Sequence, residues 1–311
     1  MTEAWIVARF IHFAAAMAAF GIGAFRLYAF AGSLDPAHTA TRGSFDAQLR
    51  RLTTPCALLA LLSALAIVPF IAAEMAGSDA AALEPAVWRD VLTETSFGHA
   101  WCWHLGFGAT LLALCLLRGG AWQASAATLV ALMLLASLGW TGHAAMDMGG
   151  GITHELNQMV HLTAGGIWLG GLVPLGALLR RAARLGGGPY AELARIALPH
   201  FSQMGYVAVA LVALTGTVNG AMLVGGFEAL VATPYGRLLC LKIVLFATMV
   251  GLALVNRFRL LPRLRDPATA SPSLRALLRS VIGEQALGLA ILAVVAVLGT
   301  WPPAVEAAMK M

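Results

Sequence analysis

Residues His99–His143 read HAWCWHLGFGATLLALCLLRGGAWQASAATLVALMLLASLGWTGH, two long apolar runs parted only by Arg118-Gly119-Gly120. Each run is close to the ~20 residues a helix needs to cross the hydrocarbon core of a bilayer. A three-residue turn between them makes a tight helical hairpin. Composition agrees with a lipid environment. The 311-residue chain is 59% hydrophobic and 11% charged, against roughly 25% charged residues in soluble domains. No soluble fold of this length has enough interior for so much apolar surface.

Working outward from the hairpin, apolar runs recur at eight places: Trp5–Phe30, Leu52–Met75, His99–Leu117, Trp122–His143, Gln158–Leu179, Tyr206–Val224, Leu238–Leu261 and Leu277–Leu298. The expected fold is therefore all-α, a polytopic membrane bundle of about eight helices. It forms a single integral membrane domain over 1–311, with helices 1–4 in 1–144 and helices 5–8 in 145–311. The opening MTEAWIVARF carries an acid and no basic stretch before the apolar run. That is the reverse of a cleavable signal, so the first helix is expected to be retained.

Charge orients the bundle. Fifteen of the 20 basic residues fall in the 1–2, 3–4, 5–6 and 7–8 connections and the helix ends beside them. Glu74, Asp79, Glu84, Asp90 and Glu94 lie on the other side. By the positive-inside rule the basic side is cytoplasmic, so both termini are expected outside. The net charge of +5 then reflects topology, and no nucleic-acid partner is expected. Cys56, Cys102, Cys115 and Cys240 lie in or beside apolar runs with no C-x-x-C pair. Apolar packing is the default reading for each. Gly166-x-x-x-Gly170 and Gly216-x-x-x-Gly220 have the spacing that lets helices approach closely in lipid.

The chemistry lies in the histidines, because ionisable groups inside a membrane are costly and usually functional. His12, His99, His104, His143, His154 and His161 all sit toward the outer face, and the 4–5 connection adds Met146 and Met148. Cu(I) takes thioethers and imidazoles, and Cu(II) takes imidazole and oxygen donors. A Met-x-Met beside two histidines, outside the apolar run, suits a copper ion better than it suits core packing. His154, Gln158 and His161 are i, i+4 and i+7 on one helical face. His154 and His161 are roughly 10 Å apart along the axis, successive stations rather than ligands of one ion. His12 lies at a similar depth and is the expected second donor to His161. His99 and His104 are i, i+5 and point apart, so at most one faces a given site. Toward the inner side, His200, Met204, Asn256 and Glu284 form a sparse polar set. It reads either as an inner pathway or as helix-to-helix hydrogen bonding. There is no G-x-x-x-x-G-K-[ST] loop and no catalytic constellation, so no enzyme is expected.

Several motifs in order resemble the copper-resistance protein D (CopD) family: Gly142-His143-Ala144, His161 with Trp168-Leu-Gly-Gly-Leu172, Pro199-His200-Phe201-Ser202, Thr215-Gly216-Thr-Val-Asn219, Tyr235-Gly236 through Lys242, Asn256-Arg257 and Glu284. The resemblance spans most of the chain. It implies a bacterial inner-membrane protein of eight helices that moves copper, in the uptake direction, with a periplasmic copper-binding protein as a natural partner. His200 stands where the family commonly has arginine, and His99 and His104 stand where other residues are frequent. Two other readings stay open. Histidines paired at one depth also suit a b-type haem in electron transfer, and the same residues suit a protein that holds copper for a partner without transporting it.

Overall fold

The computed structural model describes residues 1–30, 36–117, 120–141, 151–185 and 188–305. Among these residues the structure is helical and contains no strand. Eight helices are long and apolar enough to span a membrane. They are α1 (Thr2–Tyr28), α2 (Pro36–Ala76), α4 (Ser96–Leu116), α5 (Ala121–Ser137, extended by a 3-10 turn at Leu138–Trp140), the continuous α6 (Gly151–Gly165) and α7 (Leu172–Arg184), α8 (Pro189–Val224), α10 (Pro234–Val255) and α11 (Pro267–Leu298). Two short helices, α3 (Pro85–Glu94) and α9 (Phe227–Ala232), lie in the connections on the acidic side. The glycine turn of the expected 3–4 hairpin, Arg118-Gly119, falls outside the described residues.

The helices begin where local chemistry starts them. Thr95 accepts a hydrogen bond from Gly98 N at 2.9 Å, and Thr233 accepts one from Gly236 N at 3.0 Å. Both are side-chain N-caps that satisfy a donor the first turn leaves open. Proline stands at the first turn of α8 and α10, where its missing N–H costs nothing.

Three helices extend well beyond the expected apolar runs on the basic side. α2 starts at Pro36 rather than Leu52, α8 at Pro189 rather than Tyr206, and α11 at Pro267 rather than Leu277. The α2 extension is polar and those of α8 and α11 mix apolar with charged and polar residues, so continuous apolar runs stop short of them. Their inner faces bury Phe45, Leu49, Leu193, Ala194, Ala197, Leu274 and Leu277. Tertiary packing, not overall hydropathy, holds them helical.

The interior divides into two main clusters. One joins α1, α2, α4 and α5 around Ala16, Phe20, Ala60, Trp101, Leu111 and Leu135. The other joins the end of α1 to α7, α8 and α11 around Phe25, Trp168, Leu175 and Leu178. Toward lipid, α2 presents Leu58, Leu59, Leu62 and Leu65, and α10 presents Leu241, Ile243 and Val244.

A π-helical turn at Gly166–Gly170 links α6 to α7 and crosses α1. A Cβ on Gly170 would collide with the Met17 carbonyl and with Gly21, and one on Gly21 would collide with the Gly170 backbone. The two backbones therefore touch, the close approach that small residues permit in lipid. Gly216 has a different use. Its bare surface lies beneath the His161 ring, and Gly220 faces open space.

Candidate metal centre

Small residues bring four helices around His12. On α1, Ala8, Ala15, Ala16 and Ala19 are buried beside it, and on α2 the stripe Ala57, Ala60 and Ala64 is fully covered. The facing side of α4 carries Trp101, His104, Gly108 and Leu111, all buried. Spacings of three and four residues place them on one stripe. α2 and α4 run antiparallel in a register fixed at two levels. Trp101 Nε1 donates to Ala64 O at 3.2 Å, and Gly108 lies against Leu61.

At the centre of this group His12 and His104 meet. Their Nε2 atoms are 3.0 Å apart, with ring centroids separated by 4.9 Å. Both residues are buried, at 1% and 0% exposure. His12 Nδ1 lies 3.1 Å from Ala60 O and 3.0 Å from Ser63 Oγ. His104 Nδ1 lies 2.8 Å from Ser137 Oγ. Trp101 stacks on the His104 ring at 4.7 Å and 22°, and Phe97 stacks on Trp101.

Donor and acceptor roles follow from the partners. A carbonyl only accepts, so His12 Nδ1 carries the proton and donates to Ala60 O. The Ser63 hydroxyl donates to Leu59 O at 2.6 Å, which leaves its oxygen to accept from His12. His12 Nε2 is then a bare lone pair, and His104 Nε2–H donates to it. His104 Nδ1 accepts from the Ser137 hydroxyl. One proton per ring satisfies the contacts of both rings with both imidazoles neutral, and the Ser137 hydroxyl then serves His104 in place of Leu134 O at 2.8 Å.

His12 and His161 do not pair, contrary to the sequence expectation. Depth along the helices does not decide this; the direction each ring faces does. His12 faces α2 and α4. α6 and α7 meet α1 through the glycine turn, and His161 faces away, toward α8. There its Nδ1 lies 2.8 Å from Thr215 Oγ1. Thr215 itself donates to Leu211 O, so His161 donates from Nδ1 and keeps a bare Nε2. Lys242 on α10 lies within electrostatic reach of His161. The same α6–α8 seam is laced by amides. Asn157 donates to Thr215 O at 3.0 Å and to Asn219 Oδ1 at 2.8 Å, and Asn219 donates to Gln158 Oε1 at 2.8 Å.

The remaining histidines lie apart from this pair. His154 is buried on α6 at 4% exposure. His99 is exposed at the start of α4, with Nε2 2.9 Å from Thr93 O. His143, Met146 and Met148 fall outside the described residues. At the basic end, His200 Nδ1 donates to Ala29 O at 3.1 Å, which ties α8 to the end of α1, and Met204 is half-buried one turn on. Asn256 and Glu284 do meet, 2.6 Å apart across α10 and α11. Among the described residues no three His, Cys, Asp or Glu side chains converge as a metal cage. The His12–His104 pair brings two imidazoles together with no third such side chain among the described residues.

Sequence reading missed the oxygens that orient these rings: Ser63, Ser137 and the Ala60 carbonyl for the pair, and Thr215 for His161. A hydroxyl inside an apolar run gives little signal by itself. The Ser63 position, one residue off the Ala57-Ala60-Ala64 stripe, is the nearest thing to one.

Comparison with known proteins places this architecture. Residues 1–154 match the family described as copper resistance protein D-like, N-terminal domain, and residues 195–298 match copper resistance protein D. The chain is 31% identical to inner membrane protein YebZ of Escherichia coli (strain K12), over 96% of this chain and 98% of that protein. It is 31% identical to copper resistance protein D of Pseudomonas syringae pv. tomato, over 98% of each. It is 29% identical to copper transport protein CutJ of Bacillus subtilis (strain 168), over 83% of this chain but 47% of that longer protein. No solved structure matches. With both halves matched in order and near-full-length relatives at this identity, the chain belongs to the copper resistance protein D family.

Proposed function

We propose that this protein passes copper across the inner membrane from the acidic, periplasmic side toward the basic, cytoplasmic side, with His12 and His104 as the central station. One observation carries the reading. Two buried imidazoles on different helices turn Nε2 to Nε2 at 3.0 Å, each with an oxygen partner at Nδ1. Metal-binding histidines are oriented by such a partner on the second nitrogen. Two neutral imidazoles in an apolar shell suit a soft, low-coordinate ion such as Cu(I).

Loading the pair needs one tautomer change and a small opening. His104 shifts its proton from Nε2 to Nδ1 and donates to Ser137 Oγ. The Ser137 hydroxyl turns to Leu134 O, already 2.8 Å away. Both Nε2 lone pairs then converge on the ion with no change in the charge of either ring. Bonds of ~2.0 Å to imidazole nitrogen ask the two Nε2 atoms to part by about 1 Å.

The same geometry favours copper over haem at this pair. Trp101 packs against both rings, at centroid distances of 4.7 and 6.0 Å, and the nitrogens are in hydrogen-bond contact. A macrocycle has no slot between them. The outer loop bearing His143, Met146 and Met148, with His154 beneath it, is the proposed point of capture from a periplasmic copper-binding protein. His161, His200, Met204, Asn256 and Glu284 are proposed as polar positions along the second half of the bundle.

The test is the His12→Gln, His104→Gln double variant, which keeps size and hydrogen bonding while removing the imidazoles. Purified wild type is expected to hold copper with little haem. The variant should lose one copper per chain, and cells carrying it should accumulate less copper at equal protein level. Unchanged copper content and unchanged accumulation would overturn the reading. A strong Soret band with near-stoichiometric iron would replace it with the haem reading.

A further inference from the structure

Below the histidine pair, toward the basic end, the same four helices line a cavity of about 770 Å³ that opens to the surface. Arg26, Arg50, Arg51, Gln123, Thr128 and Cys115 are among its lining residues. A second cysteine stands beside it. Cys56 on α2 lies one turn beyond Thr53, which lines the cavity. The α2–α4 register brings the two thiols level. It runs from Ala64 opposite Trp101 to Leu61 opposite Gly108, and its next antiparallel step sets Cys56 opposite Cys115. The two sulfurs lie within electrostatic reach of each other. Both side chains are half-buried, and both are free thiols.

Cys56 is four residues below Ala60, the carbonyl that orients His12, and Cys115 is eleven residues below His104. At 1.5 Å per residue these offsets are about 6 and 16 Å, so the thiols lie roughly 10 Å further toward the basic end. Arg26 is partly neutralised by Asp46 at 3.2 Å. Arg50 and Arg51 are exposed at the rim, and their guanidinium groups make no hydrogen bond or ion pair among the described residues.

We infer that Cys56 and Cys115 form a second, thiolate station for Cu(I), from which the ion leaves through the arginine-rimmed cavity; this rests on the copper reading above. Thiolate is the preferred donor for a cuprous ion. As two Cu–S bonds form, the two S–H protons pass to water in the cavity, and copper stays Cu(I) throughout. The resulting bis-thiolate carries one net negative charge. Arginines at the rim supply a positive field that favours it and keep an anionic product from spreading back into the apolar layer. Moving from two imidazoles to two thiolates takes the ion down a gradient of ligand softness.

The test uses the full-length protein in detergent with Cys102→Ser and Cys240→Ser as background. Cu(I) is supplied as a weak chelate, and copper X-ray absorption reports its neighbours. With His12, His104 and His161 also changed to Gln and the outer-loop donors His143, Met146, Met148 and His154 to Ala, the bound copper is expected to show sulfur neighbours only. Adding Cys56→Ser and Cys115→Ser should remove that copper. Serine keeps the size of cysteine, so folding is checked by an unchanged elution profile. Nitrogen-only coordination in the histidine-bearing protein, with no sulfur-bound copper in the histidine-free one, would overturn the thiol station and leave the histidine station standing. Sulfur-bound copper in a protein whose histidine pair proves irrelevant to cellular copper would overturn the path and leave this site.

Discussion

Asn256 Nδ2 and Glu284 Oε1 lie 2.6 Å apart across α10 and α11, and around them other polar atoms go unanswered. Asn256 Oδ1 and Ser280 Oγ are buried without a partner, and Ser280 is one turn before Glu284 on the same helix. Glu284 itself is 2% exposed. A single amide donor is thin support for a carboxyl group in such a place. Replacing Glu284 with alanine strips Asn256 of its partner as well and is expected to cost about 1–3 kcal/mol, read as a lower unfolding temperature. Glu284→Gln keeps the shape and an acceptor, so it should fold near wild-type stability while cellular copper accumulation falls. Accumulation equal to wild type in Glu284→Gln would make this contact purely structural.

Ser137 offers a sharper test of the proton arrangement at the histidine pair. Its hydroxyl serves His104 in the resting state and Leu134 O when copper is bound. Ser137→Ala removes the group that steadies His104 in the loading tautomer while leaving both imidazoles in place. Loss of an orienting partner of this kind costs ~10–100-fold in metal affinity. We expect copper affinity to fall by that order, with stoichiometry unchanged at saturating copper. Titration against a cuprous chelator reads both, and an unaltered affinity would remove Ser137 from the site.

The eight spans were legible because length and hydropathy suffice for them: a run of about 20 apolar residues has few other uses. The inward extensions of α2, α8 and α11 were not, since their apolar residues, Phe45 beside Asp46 and Leu193 between Glu192 and Arg195, are interspersed with charges and their burial depends on one another. The site was legible in part. Histidines in lipid announce themselves, and His12, His104 and His161 were all named from sequence. Which of them meet is decided by helix rotation. The Gly21–Gly170 crossing and the alanine stripe of α2 turn His12 toward α4 and leave His161 to α8. The i, i+5 spacing of His99 and His104 allows one of them to face inward, and nothing in it says which.

Topology is open to direct measurement. The basic residues gather beside the 1–2, 3–4, 5–6 and 7–8 connections, which argues for a cytoplasmic position of all four. Reporter fusions after Arg184 and Arg265 should be active as cytoplasmic reporters. Fusions after Asp90 and at the C-terminus should report periplasm. A cytoplasmic C-terminus would reverse the orientation and with it the direction of copper movement.

His161 separates a route from a brace. Its Nδ1–H is committed to Thr215, which leaves Nε2 as a lone pair on the seam between α6 and α8. It lies seven residues, ~10 Å, further in than His154. As a brace, the His161–Thr215 bond contributes about 0.6–1.7 kcal/mol, the range for a hydrogen bond between membrane helices. The amide contacts of Asn157, Asn219 and Gln158 would hold the seam without it. His161→Ala should therefore yield a folded protein at near-normal level. As a station, His161 supplies an imidazole to replace the water that copper sheds on entering the bilayer. His161→Ala should then still take up copper at the outer loop and deliver less of it inward. His161→Asn, which restores a donor toward Thr215 but no imidazole, should recover stability and not delivery. Delivery by His161→Ala equal to wild type at matched protein level would take His161 off the path and leave it a brace.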